Sequence, residues 1–136
     1  MKKTNVCMRL LSLALTLIIV AAMFLFTACG NTNESVRNDG KTMITVLVKG
    51  ADGKTTDFII ETKEKYLRGA LEQEHLVEGE ESEFGLYVKF VNGERADYDK
   101  DKAYWAIYKE DVYLSTSIDK TPIKDGDIFR FVYTEG

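Results

Sequence analysis

After residue 41, short runs of β-branched and aromatic residues alternate with turn residues, which is the pattern of a chain rich in strands. Residues 43–49 and 55–61 both have this character, and two glycines and an aspartate lie in the segment 50–53 between them. Two such runs joined by a short turn predict a β-hairpin. We therefore expect the folded part to begin with two antiparallel strands.

A helical pattern follows the hairpin. Thr62 is of the type that caps helix N-termini, and Leu67, Ala70 and Leu71 share one face if residues 63–76 are helical. The acidic segment 78–83 is turn-like. The sequence thus predicts one amphipathic helix, capped by Thr62, and then a turn.

Four further strands are predicted in the second half of the chain. They cover residues 86–91, which end at the turn pair Asn92-Gly93, and residues 103–109, 112–114 and 128–134; Pro122 falls in the loop before the last of them. Two strands, one helix and several more strands predict an α+β class, a small β-grasp-like domain in which a mixed sheet wraps one helix.

The first 28 residues have the pattern of an export signal. Lys2, Lys3 and Arg9 precede an apolar segment, residues 10–26, and Thr27 and Ala28 precede Cys29. This arrangement resembles a bacterial lipoprotein signal, in which the cysteine is diacylated, palmitate being a typical acyl group, and becomes the new N-terminus. An uncleaved single membrane span is the alternative.

The resemblance implies a membrane protein that is lipid-anchored at Cys29 on the extracytoplasmic face of the cell membrane. Two acyl chains give stable anchoring. Residues 29–41 are almost entirely polar and predict a flexible linker, so the expected organisation is a signal peptide over 1–28, an anchor and linker over 29–41, and one domain over 42–136.

Charge and cysteine content narrow the classes of partner. The chain has 18 basic and 22 acidic residues. Because three of the basic residues lie in the leader, 15 remain against 22 acidic residues, a formal charge of −7. Such a surface disfavours nucleic acid. Since the cysteines are Cys7 and Cys29, residues 42–136 contain neither a disulfide nor a cysteine-based metal site.

The sequence has no pattern that indicates catalysis or a metal centre. His75 is the single histidine and stands among glutamates of the predicted helix, so we interpret it as a surface residue. Residues 115–117 offer hydroxyls without an accompanying base. Asp97, Asp99 and Asp101 alternate as calcium ligands do, but the central glycine and terminal glutamate are missing, which favours a solvated loop. We expect no enzyme and no required cofactor.

An aromatic strand is the most informative candidate for binding. In residues 104–108 (YWAIY), Trp105 and Ile107 face one side of the predicted sheet, and Tyr104, Ala106 and Tyr108 face the other. One set should pack on the helix, and the other should be covered by loops, a partner or a ligand. Trp105 is open to both interpretations, as a core residue and as a ligand contact.

Three segments together resemble a known family. Residues 85–93 (GLYVKFVNG), 104–108 (YWAIY) and 124–133 (KDGDIFRFVY) are similar to the C-terminal domain of transcobalamin and intrinsic factor, which also occurs in bacterial lipoproteins as a domain of unknown function of the 4430 type. The resemblance implies a ligand face for cobalamin. The residues that would line it are Gly85, Leu86, Tyr87, Val88 and Trp105.

Two functional hypotheses follow. The first is a non-catalytic binding module at the cell surface that captures cobalamin or a similar bulky ligand for a transporter. The second is a protein-interaction or adaptor module that engages a surface protein through its sheet edge or its aromatic face. Because the large helical domain that closes over the vitamin is absent from this sequence, half a site would bury only half of the ligand.

Overall fold

The structure is a computed structural model, and it describes residues 39–136. The predicted signal peptide 1–28, the lipidation site Cys29 and most of the linker 29–41 lie outside these residues. The elements in order are β1 (Thr42–Lys49), β2 (Thr55–Thr62), α1 (Leu67–Gln73), β3 (Val77–Ser82), β4 (Gly85–Val91), β5 (Glu94–Arg95), α2 (Tyr98–Asp101), β6 (Ala103–Lys109), β7 (Val112–Tyr113), a 3₁₀ helix (Ile118–Lys120) and β8 (Ile128–Glu135).

The α+β class predicted from the sequence is confirmed, with strands as the dominant element. The predicted hairpin is β1 and β2, which pair antiparallel from Thr42 opposite Thr62 to Lys49 opposite Thr55. A five-stranded sheet has the order β2-β1-β8-β6-β7, in which β1 and β8 are parallel. A second sheet has the order β3-β4-β5. Among the described residues, no helix has the length and apolar character needed to cross a membrane.

One core fills the space between the large sheet, α1 and the small sheet. Alternate residues of β1 and β8 face it, among them Val46, Phe129 and Phe131, which are completely buried. Leu67, Ala70 and Leu71 supply the apolar face of α1, as the helical pattern predicted. Trp105 of β6 and Val88 of the small sheet join the same core.

The helix is shorter than predicted, and Thr62 is not its N-cap. Helix α1 begins at Leu67 because residues 65–67 are held extended against residues 121–123: the Leu67 N–H donates to the Thr121 carbonyl at 2.9 Å. Thr62 instead ends β2, buried, and its hydroxyl accepts the Glu64 N–H at 3.0 Å. At the other end His75 adopts φ +52°, and the Leu76 N–H returns to the Leu71 carbonyl, a Schellman stop.

The acidic segment that the sequence predicts as a turn forms a strand instead. Residues 77–82 form β3, which pairs with β4, and a bulge lies at Glu78 and Gly79. The glutamates are tolerated because β3 is an edge strand and their side chains are exposed. Gly79 is required where the strands meet, since a Cβ there would collide with the Tyr87 carbonyl oxygen.

The Asp97 region is not the solvated loop that the sequence predicted. Asp97 is only 3% exposed and is the N-cap of α2, where its carboxylate accepts the Asp99 N–H at 3.1 Å. Lys89 of β4 reaches it with Nζ at 3.1 Å. Burial opposes ionisation of Asp97, but the hydrogen bonds from Lys89 and the Asp99 N–H outweigh it, and the pKa is lowered.

Candidate functional site

A cleft of about 190 Å³ opens between the small sheet and the free side of β6. Four of the five residues that the resemblance assigned to a ligand face line it: Leu86, Tyr87, Val88 and Trp105. The remaining lining residues come from β6, from β7, and from the start of the 3₁₀ helix with the segment before it; they are Tyr104, Ile107, Tyr113, Thr116, Ser117 and Ile118. The tertiary structure thus brings two distant sequence segments together.

Gly85 supports the cleft rather than lining it. Its backbone has φ +112°, a conformation that side chains other than hydrogen rarely adopt. A Cβ at this position would also collide with the side chains of Ser117 and Asp119. Glycine therefore lets the start of β4 lie directly against the 3₁₀ segment.

Asp119 connects three walls of the site, and sequence reasoning missed it. One carboxylate oxygen accepts the Leu86 N–H at 2.9 Å and the Ser117 hydroxyl at 2.6 Å. The other oxygen accepts Arg68 Nη1 of α1 at 2.6 Å. The isolated residue carries no sequence signal, because its partners are 2, 33 and 51 positions away.

The charges of this network are strongly stabilised. Burial opposes ionisation of Asp119, but hydrogen bonds from Ser117, Arg68 and the Leu86 N–H dominate and lower its pKa to about 2. The Arg68 guanidinium also pairs with Glu81 of β3 and with Glu72, and these bonds, with that to Asp119, raise its pKa. Arg68 thereby ties the helix to the edge of the small sheet.

Trp105 is both a core residue and a cleft residue. It is 5% exposed, and its ring packs edge-on against Tyr133 at 5.7 Å between centroids. Its indole Nε1–H is buried and has no hydrogen-bond acceptor within residues 39–136. An unmatched buried donor costs about 1–3 kcal/mol. One of the residues that line the cleft therefore carries a buried donor without a partner in the described part of the chain.

Two strand edges next to the cleft are incomplete. Strand β5 pairs only with Phe90 and Val91 of β4, and β7 pairs only with Tyr108 and Lys109 of β6. On those sides the preceding residues of both strands, 85–88 and 103–106, have no neighbouring strand in the described part of the chain. The Leu86 N–H is satisfied by Asp119 instead. On that side, neither stretch is completed by another strand of the described residues.

The polar side chains that line the cleft carry hydroxyl groups, apart from the Trp105 indole. The Ser117 hydroxyl donates to Asp119, whose low pKa keeps it ionised and hydrogen-bonded. His75 lies at the end of α1 and does not line the cleft. Within residues 39–136, no three His, Cys, Asp or Glu side chains are grouped so that they could hold a metal ion.

Comparison with known proteins gives a family and a fold. The family model described as "Domain of unknown function (DUF4430)" matches residues 64–135. A crystallised protein from Ruminococcus gnavus ATCC 29149, named for a suspected role in metal binding, is 41% identical over 70% of this chain and 98% of its own, with a TM-score of 0.67. No curated protein matches the chain.

A second solved structure shares the fold at low identity. Haptocorrin in complex with Cbi aligns with 70% of this chain at a TM-score of 0.60 and 14% identity. The chain spans only 25% of the haptocorrin length. The expected transcobalamin-like character of the domain is therefore confirmed at the level of the fold.

Proposed function

Because the chain belongs to the DUF4430 family, we propose that it is a non-catalytic ligand-binding module whose cleft holds one side of cobalamin or a similar bulky ligand. The observation that carries this proposal is the convergence of Leu86, Tyr87, Val88 and Trp105 on one cleft, beside a buried indole donor that lacks an acceptor. The shared fold with haptocorrin, a structure that contains Cbi, supports this class of ligand.

The size of the cleft predicts how the ligand is held. Sites that enclose a small molecule have volumes of about 300–1,000 Å³, and this cleft has about 190 Å³. A corrin-sized ligand would therefore be gripped at one side and remain exposed on the other. A second protein, such as a transporter component, would complete the site.

The topology supports the β-grasp arrangement. The order β2-β1-β8-β6-β7, with a parallel central pair β1–β8 and α1 packed on one face, matches a mixed sheet that wraps a helix. In this arrangement the cleft lies beside the sheet, at the free side of β6, where a ligand can approach without displacing the core.

Attachment to the membrane is part of the same proposal. The basic start, the apolar segment and Cys29 support lipid anchoring on the extracytoplasmic face of the cell membrane. We expect cells that express the chain to incorporate labelled palmitate into it and Cys29→Ala to abolish the labelling. Undiminished labelling of the variant would contradict the assignment of Cys29.

Titration of residues 39–136 with cobalamin tests the ligand. The Ruminococcus protein consists almost entirely of the matching region, so a chain of this extent folds alone. We expect saturable binding that Trp105→Phe weakens about fivefold, because the smaller ring removes about 1 kcal/mol of apolar contact at the cleft. Phe84→Ala is the control, since Phe84 is an aromatic residue close to Leu86 in sequence that is 70% exposed and does not line the cleft.

A protein partner is the second candidate, and the incomplete edges of β4 and β6 favour it. An extended peptide could pair with residues 85–88 or 103–106 by strand addition. Absence of cobalamin binding at about 1 mM, where the binding free energy is only about −4 kcal/mol, together with saturable capture of one surface protein, would favour this candidate over the first.

A further inference from the structure

A second depression lies on the outer face of the five-stranded sheet, which points away from the core. Because Val46, Val48, Phe129 and Phe131 face the core, the alternate residues of β1 and β8 face outward. The depression measures about 330 Å³, a volume within the range of small-molecule sites. The outward-facing side chains that line it are Leu47, Lys49, Thr55, Arg130 and Val132; Phe131, between the last two in β8, also borders it, but its side chain is buried in the core.

Two cations and two apolar residues form this outer-face depression. In the parallel pair, Leu47 lies opposite Arg130 and Lys49 lies opposite Val132. The four side chains therefore lie on one face of the sheet. Lys49 and Arg130 are diagonal to each other, and so are Leu47 and Val132. Lys49 forms no ion pair within residues 39–136.

The Arg130 side chain is held in place by its neighbours, but not all of its N–H groups have hydrogen-bond partners. Its guanidinium lies over the Tyr108 ring, 5.6 Å from the centroid, and Nη2 donates to Asp111 at 2.6 Å. The Asp111 side chain is 95% exposed, and an exposed ion pair of this kind contributes about 0–1 kcal/mol. The Arg130 Nε–H is buried and has no acceptor in the described part of the chain. Because the Asp111 pair is exposed and weak, another anion at the depression can compete with Asp111 for the Arg130 guanidinium.

Lys49 and Arg130 place two cations close together on a chain whose formal net charge is −4. The carboxylates that face these cations are Asp111 and, from the neighbouring strand, Asp57, which lies opposite Leu47. Asp57 is not in ion-pair contact with Lys49 or Arg130. Two positive charges over an apolar floor are complementary to an anionic group that carries an apolar substituent.

We propose that the outer-face depression binds a small soluble carboxylate with an aliphatic body. The carboxylate accepts from Arg130 and Lys49, with Thr55 at the rim, and the aliphatic part lies on Leu47 and Val132. This site is separate from the cleft, so it does not depend on the identity of the cleft ligand.

The site is tested by titrating residues 39–136 with hexanoate. Calorimetry and the shifts of the backbone amide signals measure the binding. We expect saturable binding with the largest shifts at Lys49, Arg130 and Val132. Lys49→Gln and Arg130→Gln should each weaken binding about fivefold or more, and Asp111→Asn should tighten it about twofold to threefold, because one competing anion is removed.

Lys54→Gln is the matched control, because it removes the same charge from the β1–β2 turn, where Lys54 pairs with Asp52. It should change hexanoate affinity less than twofold, and neutral hexanol should not bind saturably. Amide spectra of each variant establish that it folds.

Four results would overturn the proposal. They are the absence of saturation by hexanoate, equal weakening by Lys49→Gln and Lys54→Gln, equal binding of hexanol, and binding only to anionic lipid vesicles and not to hexanoate. The cobalamin titration uses a different face, so either proposal can fail while the other holds.

Discussion

The cleft and the outer-face depression hold their polar groups in different ways. At the cleft, Asp119 accepts hydrogen bonds from a strand, a helix and its own 3₁₀ segment, and it is 24% exposed. On the outer face, Arg130 is held by a ring contact and by one fully exposed carboxylate. The polar groups of the cleft are therefore held in place by the fold. On the outer face, the Arg130 guanidinium can exchange Asp111 for another anion.

This difference determines how mutation should separate the two regions. Changes at the cleft remove buried or strained features and should lower the free energy of unfolding. Changes on the outer face should leave the stability almost unchanged and act on binding alone. Three substitutions, in order of decreasing effect, test the contrast.

Gly85→Ala should have the largest effect. The positive φ and the collision of the new Cβ with Ser117 and Asp119 act together, and we expect a loss of about 3 kcal/mol in the free energy of unfolding. Urea denaturation measures it. Gly93→Ala is the control, because it has φ +77° with nothing within 4 Å, and should cost about 1 kcal/mol. Equal losses would show that backbone strain alone matters.

Asp119→Asn should have the next largest effect, a loss of about 2 kcal/mol at pH 7, because charge-assisted bonds from Arg68, Ser117 and the Leu86 N–H are weakened or lost. Its folded pKa of about 2 lies below the ordinary value of 3.8. The stabilisation is therefore present above pH 4 and is lost as the pH falls through 2.

The pH dependence of that variant separates Asp119 from other acids. Asp101, whose pKa is lowered to about 2 mainly by its hydrogen bond from Arg95, remains in the variant. We expect the free energy of unfolding of Asp119→Asn to fall less than that of the parent between pH 4 and 2, without becoming constant. Identical pH profiles would refute the role of Asp119 as an ionised link.

Asp111→Asn should have the smallest effect on stability, below about 0.5 kcal/mol, because its ion pair with Arg130 is open to solvent. Thermal unfolding at low and high salt measures it. A loss comparable with that of Asp119→Asn would remove the contrast between the two regions, since the outer-face pair would then be structural.

Much of the fold was predictable from local patterns. The strands around residues 43–49, 86–91, 103–109 and 128–134 were found, because alternating and β-branched residues report directly on a half-buried strand. The predicted limits of the helix were wrong, and the segment that forms β3 was predicted as a turn. Residues 63–66 fit a helical pattern, but residues 65–67 are held extended by residues 121–123, so the helix begins later. The glutamates of β3 form a strand only because β4 lies beside them.

The candidate site shows the same division. Four of the residues that the family resemblance assigned to a ligand face, Leu86, Tyr87, Val88 and Trp105, line one cleft, and their role in binding stays a prediction. The resemblance placed Gly85 there too, where the structure shows a supporting position against Ser117 and Asp119. Asp119 itself was missed, because a single aspartate in a polar loop has no distinctive pattern.

Local sequence thus determined the class of fold, the main strands, the apolar face of α1 and the acidic charge of the chain, because these depend on side-chain type and spacing within a few residues. The tertiary structure alone decided which groups share a carboxylate and which remain without a partner. The Arg68–Asp119 link spans 51 positions, and the unmatched donors of Trp105 and Arg130 are defined by what surrounds them in space. Hydrogen bonding and burial depend on distance in three dimensions, and the order of residues does not specify that distance.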